Sequence, residues 1–195
     1  MFPFPAPSAA GRTVRRTLAA LAALAALAGC SVFKDKEPPP ACPGVSIDRD
    51  TARVTQFRHG LGRDITDIVM ETDLMGYSGD CSVDKKKNQV LMHLSMSFKS
   101  HLGPAAAPGD EDGIRHGSFK YFIALPDFFP HPAGKQVFAV DVAFPPNVNE
   151  LTYRDEQIDL LIPLTKGMTS KDVRVYLGMQ LDGEQLKYNR KNPPK

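Results

Sequence analysis

From Val90 to Phe98 the chain alternates without a break. Val90, Met92, Leu94, Met96 and Phe98 are apolar, and Leu91, His93, Ser95 and Ser97 stand between them. A period of two sends the first set to one side of an extended backbone and the second set to the other. A helix would need its apolar residues three and four apart. The stretch therefore predicts a strand with one face in a core. It also sets a condition on the rest of the chain, which must supply further strands with matching apolar faces.

The rest of the chain meets that condition. Val45 and Ile47 open one short run, and residues 52–57 form a second with Val54 and Phe57 apolar. Residues 65–77 read as a long strand, with Ile68, Met70 and Leu74 on one face and Glu71 and Asp73 on the other. Residues 119–125, 137–144, 158–164 and 173–181 alternate in the same way. Turn signals separate them. His59-Gly60-Leu61-Gly62-Arg63-Asp64 lacks the spacing and the following helix of a phosphate loop and reads as a turn. A bend is expected at Ser78-Gly79-Asp80, and a charged hairpin turn at residues 84–88, with Lys85, Lys86 and Lys87 in solvent. Residues 101–117 read as a loop, and Pro145-Pro146 stops a strand. Pro163 marks a strand end or a sheet edge.

Six to eight such strands, with almost no helical periodicity, predict an all-β fold. The expected form is an antiparallel β-sandwich over residues 42–188, immunoglobulin-like in architecture although the chain has no tryptophan. A small antiparallel barrel is the alternative. At its end, Glu184 to Tyr188 suits one helical turn or a last short strand. The basic, proline-bearing residues 189–195 read as a disordered tail.

The first thirty residues have another texture. Arg12, Arg15 and Arg16 precede an apolar run of Leu and Ala, which ends at Leu27-Ala28-Gly29-Cys30. Basic start, short apolar middle and small residues at the end are the layout of a secretory signal. The run is about eleven residues, too short for a membrane span of roughly 20. Leu27-Ala28-Gly29-Cys30 resembles the lipobox of bacterial lipoproteins. That resemblance implies cleavage between Gly29 and Cys30, a diacylglyceryl group on the Cys30 thiol, and residues 1–29 as the signal peptide. Residues 30–41 then form a lipidated, proline-rich tether. Ser31 after the lipidated cysteine implies, by the enteric rule, an outer-membrane rather than an inner-membrane address facing the periplasm. Residues 57–67, Phe144-Pro145-Pro146 and Tyr188-Asn189-Arg190 are similar to segments of uncharacterised proteobacterial envelope lipoproteins, a likeness that implies no activity.

Three cysteines fit this layout. Cys30 is taken by the lipid, which leaves Cys42 and Cys81 as an even pair, and export favours a disulfide between them. The leader holds three of the 24 basic residues and no acidic one, so the remaining 21 stand against 22 acidic side chains. A near-neutral domain has no electrostatic footprint for nucleic acid.

The search for chemistry returns little. His59, His93, His101, His116 and His131 form no metal-binding spacing, and no cofactor motif is present. There is no nucleophile elbow. Asp64 with Asp67, and Asp155 with Glu156, fall on segments that read as turn-like or exposed, where a carboxyl keeps an ordinary pKa. No catalytic residues are assigned. The expectation is contact with an envelope protein partner, and Phe128-Phe129 between prolines is the candidate contact element. Two aromatics capping the core is the competing reading. A carrier of a small apolar ligand or a metal is the alternative function, for which Met92, Met96 and Phe98 would line a pocket.

Overall fold

The computed structural model describes residues 41–60, 62–131 and 134–193, with the backbone alone at Gln157. The signal peptide, the lipobox, Cys30 and the tether up to Pro40 lie outside the described residues.

Among the described residues eight strands form, β1 (Gly44–Ile47), β2 (Arg53–Phe57), β3 (Ile68–Asp84), β4 (Gln89–Leu102), β5 (Arg115–Ala124), β6 (Lys135–Phe144), β7 (Glu150–Pro163) and β8 (Arg174–Met179). One helix, α1 (Gly183–Lys191), follows them. The strands make two open four-stranded sheets, in the orders β1-β8-β5-β6 and β2-β3-β4-β7. The architecture is the expected sandwich and not a closed barrel. Every pairing is antiparallel except β1 with β8, which run parallel and so join the first strand to the last.

The alternating residues do what their period dictates. Val90, Met92, Leu94, Met96 and Phe98 of β4 are buried, and His93 between them is exposed. Phe119, Tyr121 and Ile123 of β5, and Val175, Leu177 and Met179 of β8, meet them from the other sheet in one continuous core. Phe98 sits at the centre, its ring centroid 4.9 Å from Tyr121 and 5.0 Å from Phe119. Pro163 is the last residue of β7, and β7 is an edge strand, so both readings of that proline hold.

Two bulges keep the faces in phase. In β3, Leu74 pairs with Phe98 but Gly76 pairs with Ser97, so Met75 is an extra residue and stands exposed. In β7, Asp155 pairs with Met96 and Ile158 with Leu94, which leaves one extra residue between them. A single added residue flips the inward parity of the residues after it. Hence Met70 and Leu74 point inward before the first bulge, and Cys81 and Val83 after it. Leu151 and Tyr153 do so before the second, and Ile158 and Leu160 after it. The bend expected at Ser78-Gly79-Asp80 therefore falls at Met75 instead, because that is where the parity of apolar residues changes.

The Cys42–Cys81 disulfide forms, with the Cα atoms 5.7 Å apart. It ties the residues leading into β1 to the far half of β3. The Tyr77 hydroxyl donates to Val45 O at 2.9 Å and joins the same two strands. The lysine turn between β3 and β4 is held by Asp84, whose carboxylate accepts from the backbone N–H of Lys86 and Lys87. The loop of residues 101–117 is shorter than its sequence suggests, since β4 runs to Leu102 and β5 begins at Arg115.

The polar end requires a correction. Asn189 to Lys191 is not a disordered tail but the last turn of α1. Asp182 caps the helix by accepting from Gln185 N, and the Gln185 side chain accepts from Asp182 N in return. Asn189 is buried and donates to Asp50 O and Arg53 O. These bonds dock α1 on β2, where composition alone showed only charge and proline.

Candidate functional site

Phe128 and Phe129 part company. They lie in the β5–β6 connection, where residues 126–128 make a short 3-10 turn. Phe128 packs against the core, and Phe129 is 62% exposed. Backbone bonds close the turn. Phe128 N donates to Leu125 O, Phe129 N to Pro126 O, His131 N to Phe128 O, Gly134 N to His131 O, and Leu125 N to Gly134 O. The Phe129–Pro130 peptide is cis.

Beside this turn lies an apolar groove on the outer face of the first sheet. It has a volume of about 410 Å³ and is lined by Phe122, Ala124, Pro126, Tyr176 and Leu186, with Asp48, Asp50, Thr51 and Arg190 among its polar residues. The strand register explains it. Val137, Phe122 and Gly178 form one cross-strand row, and Lys135, Ala124 and Tyr176 the next. Gly178 is needed there, because a side chain at that position would run into Thr51 and the Phe122 ring. The Lys135 ammonium lies over the Phe122 ring, 4.5 Å from its centroid. Arg190 Nε closes the rim by donating to Asp50 Oδ2 at 2.9 Å.

The inward set of β5, Phe119, Tyr121 and Ile123, with Leu125 just after it, masks this face in the sequence. The signal was nevertheless present, since the intervening Phe122 and Ala124 are apolar where an outward face should be polar.

The remaining polar groups hold the fold. The Asp64 carboxylate accepts from the Thr66 hydroxyl and the Thr66 N–H, and these bonds hold its pKa below the ordinary carboxylate range. Asp67 is buried rather than exposed, and pairs with Arg58. A Cβ at Gly62 would run into the Asp67 carboxylate, which would have to move. Asp155 lies on β7, half-buried and not on a turn, and accepts from the Tyr121 hydroxyl at 2.6 Å. Burial comes first, and the bond to Asp155 second, in raising the Tyr121 phenol well above its ordinary value. Glu156 is exposed in the β7 bulge.

The histidines are dispersed. His93 Nδ1 lies 2.6 Å from Asp159 on the outer face of the second sheet, and His116 Nε2 lies 3.4 Å from Asp110 in the loop before β5. Among the described residues, no group of three or more His, Cys, Asp or Glu is placed to hold a metal ion. A cleft of about 400 Å³ between β2 and α1 includes Phe57, Arg63 and Tyr188. Its guanidinium is engaged, because Arg63 donates to Gly60 O and Gly62 O. No described helix is long and apolar enough to cross a membrane.

These residues define a disulfide-tied β-sandwich with an apolar outer groove and one exposed aromatic on a hydrogen-bonded turn. Comparison of the chain with protein-family models, with curated proteins and with solved structures gives no match.

Proposed function

We propose that this chain is a lipid-anchored protein of the bacterial envelope that works by contact with another envelope protein, without catalysis. Leu27-Ala28-Gly29-Cys30 supports the anchor, through Cys30 lipidation after cleavage at Gly29. The Cys42–Cys81 disulfide supports an oxidising compartment, where such bonds persist. Ser31 favours the outer membrane over the inner, with the domain facing the periplasm.

The observation that carries the contact reading is Phe129, 62% exposed on a turn closed by backbone hydrogen bonds, whose Pro126 lines the Phe122–Tyr176 groove. Exposed aromatics are enriched at protein interfaces over the rest of a surface. The carrier reading asks for a pocket at Met92, Met96 and Phe98. These residues are packed in the core, with Met96 and Phe98 wholly buried, and none lines the outer groove or the β2–α1 cleft.

The test is cross-linking of the native lipidated protein in its membrane, followed by mass spectrometry of the adducts. The expected result is a stoichiometric envelope protein that is lost with Phe129→Ser and with Cys30→Ala. A partner retained by Phe129→Ser would remove the groove from the reading, and no partner at all would remove the reading itself.

A further inference from the structure

Each sheet of an open sandwich has two edges, and an edge presents unpaired N–H and C=O groups. Three of the four edges here are closed or guarded. The β1 edge is joined to β3 by the Cys42–Cys81 bond and by Tyr77 on Val45 O. The β2 edge is covered by α1, whose Asn189 takes up Arg53 O. The β7 edge is broken by its bulge, ends in Pro163, and has Glu150, Arg154, Glu156 and Asp159 along it. Bulges, prolines and charges are the devices that keep an edge from pairing.

β6 has almost none of them. It pairs with β5 over ten residues without a register shift, and its other side has no strand partner among the described residues. Its outward side chains are Lys135, Val137, Ala139, Asp141 and Ala143, and Val137 is 49% exposed. Lys135 and Asp141 are the only charged residues of the strand, and Phe138 is the midpoint between them.

We propose that β6 pairs with β6 of a second copy of this chain, antiparallel about a two-fold axis at Phe138, so that two four-stranded sheets become one of eight. Antiparallel pairing of a strand with itself joins residues of like parity, so an axis at Phe138 is an allowed register. It sets Lys135 of each copy opposite Asp141 of the other, giving two ion pairs at once. It sets Val137 opposite Ala139, so the exposed valine is covered by a small apolar neighbour. Axes at neighbouring residues leave each charge without an opposite charge across the contact. The contact is isologous, as a two-fold dimer requires. This goes beyond the contact with another envelope protein, which does not depend on it.

The test uses the full lipidated protein in a neutral detergent, with its mass read by sedimentation equilibrium. The wild type is expected to be a dimer. Lys135→Asp and Asp141→Lys each place like charges opposite one another and are expected to weaken the dimer about tenfold or more. The first variant carries an acid at both positions, and the second carries a base at both. Mixed in equal amounts, they again set an acid opposite a base in each of the two pairs. A heterodimer is therefore expected from the mixture, and the double variant should dimerise alone. Circular dichroism of each variant checks that it is folded. A wild-type monomer, a dimer indifferent to both swaps, or a mixture of folded variants that stays monomeric would each overturn the proposal. The first would leave the cross-linking test of the Phe129 surface unaffected.

Discussion

The hydroxyl of Tyr121, on β5, donates to Asp155 Oδ2, on β7, across the sandwich at 2.6 Å. The two strands belong to different sheets, so the bond ties one layer to the other. It also depends on the β7 bulge, which leaves Asp155 on the inward side before the parity changes. Tyr121→Phe keeps the ring against Phe98 and Phe138 but leaves a half-buried carboxylate without its donor. A loss of about 1–3 kcal/mol is expected in chemical denaturation. An unchanged midpoint would show that solvent replaces the hydroxyl.

The same pair sets an alkaline limit. Burial, then the bond and charge of Asp155, hold the Tyr121 phenol above its ordinary value of 10. The folded chain therefore keeps a proton that the unfolded chain releases. The stability from this group is fully present below about pH 10 and declines as pH rises further, by up to about 1.4 kcal/mol per pH unit. Denaturation curves from about pH 9 to about pH 11 should show this slope in the wild type and a flatter one in Tyr121→Phe.

Much of this fold was legible because burial in a sheet repeats every two residues. Met92, Phe98, Tyr121, Ile162 and Leu177 all lie where alternation places them. The disulfide was legible by elimination, once Cys30 was assigned to the lipid. The bulges were less so, because a parity change is visible only when both halves of a strand are seen as one. Leu151 and Tyr153 were not joined to Ile158 and Leu160. The parallel meeting of β1 with β8 was not legible, since nothing local in Gly44–Ile47 names a partner strand at the other end of the domain. The groove at Phe122 was overlooked because an eye on the core discards the outward face.

The disulfide gives a direct stability test. The two cysteines are 39 residues apart, and closing such a loop stabilises by roughly 4 kcal/mol in the chain-entropy model. Cys42→Ala with Cys81→Ala should lower stability by a large part of that amount in urea. Adding a reductant to the wild type should bring its unfolding curve to that of the variant. A variant as stable as the oxidised protein would show that Tyr77 and the β1–β8 pairing suffice to hold the first strand.

Phe128 and Phe129 are adjacent and should respond in opposite ways. Phe128→Ser removes a ring packed against the core, and about 2 kcal/mol of stability should go with it. Phe129→Ser removes an exposed ring and should change stability by less than about 0.5 kcal/mol. Thermal melts of the two variants read this difference. A large loss in Phe129→Ser would mean that the ring serves the fold, and the reading of it as a contact residue would fall.

Asn189 gives the sharpest test of where the domain ends. It is buried near the end of α1, and its amide donates to two backbone carbonyls at once, Asp50 O at 2.8 Å and Arg53 O at 2.7 Å. Only an amide has two N–H donors on one nitrogen at that reach. Asn189→Asp would set a carboxylate against both carbonyl oxygens, and Asn189→Ala would leave them unpaired. A loss of about 2 kcal/mol is expected for Ala and more for Asp. Hydrogen exchange should rise across α1 and along β2, because the helix covers that edge. If exchange at β2 stayed slow while α1 became free, the edge would be protected by something other than the helix, and the helix would be an appendage rather than part of the sandwich.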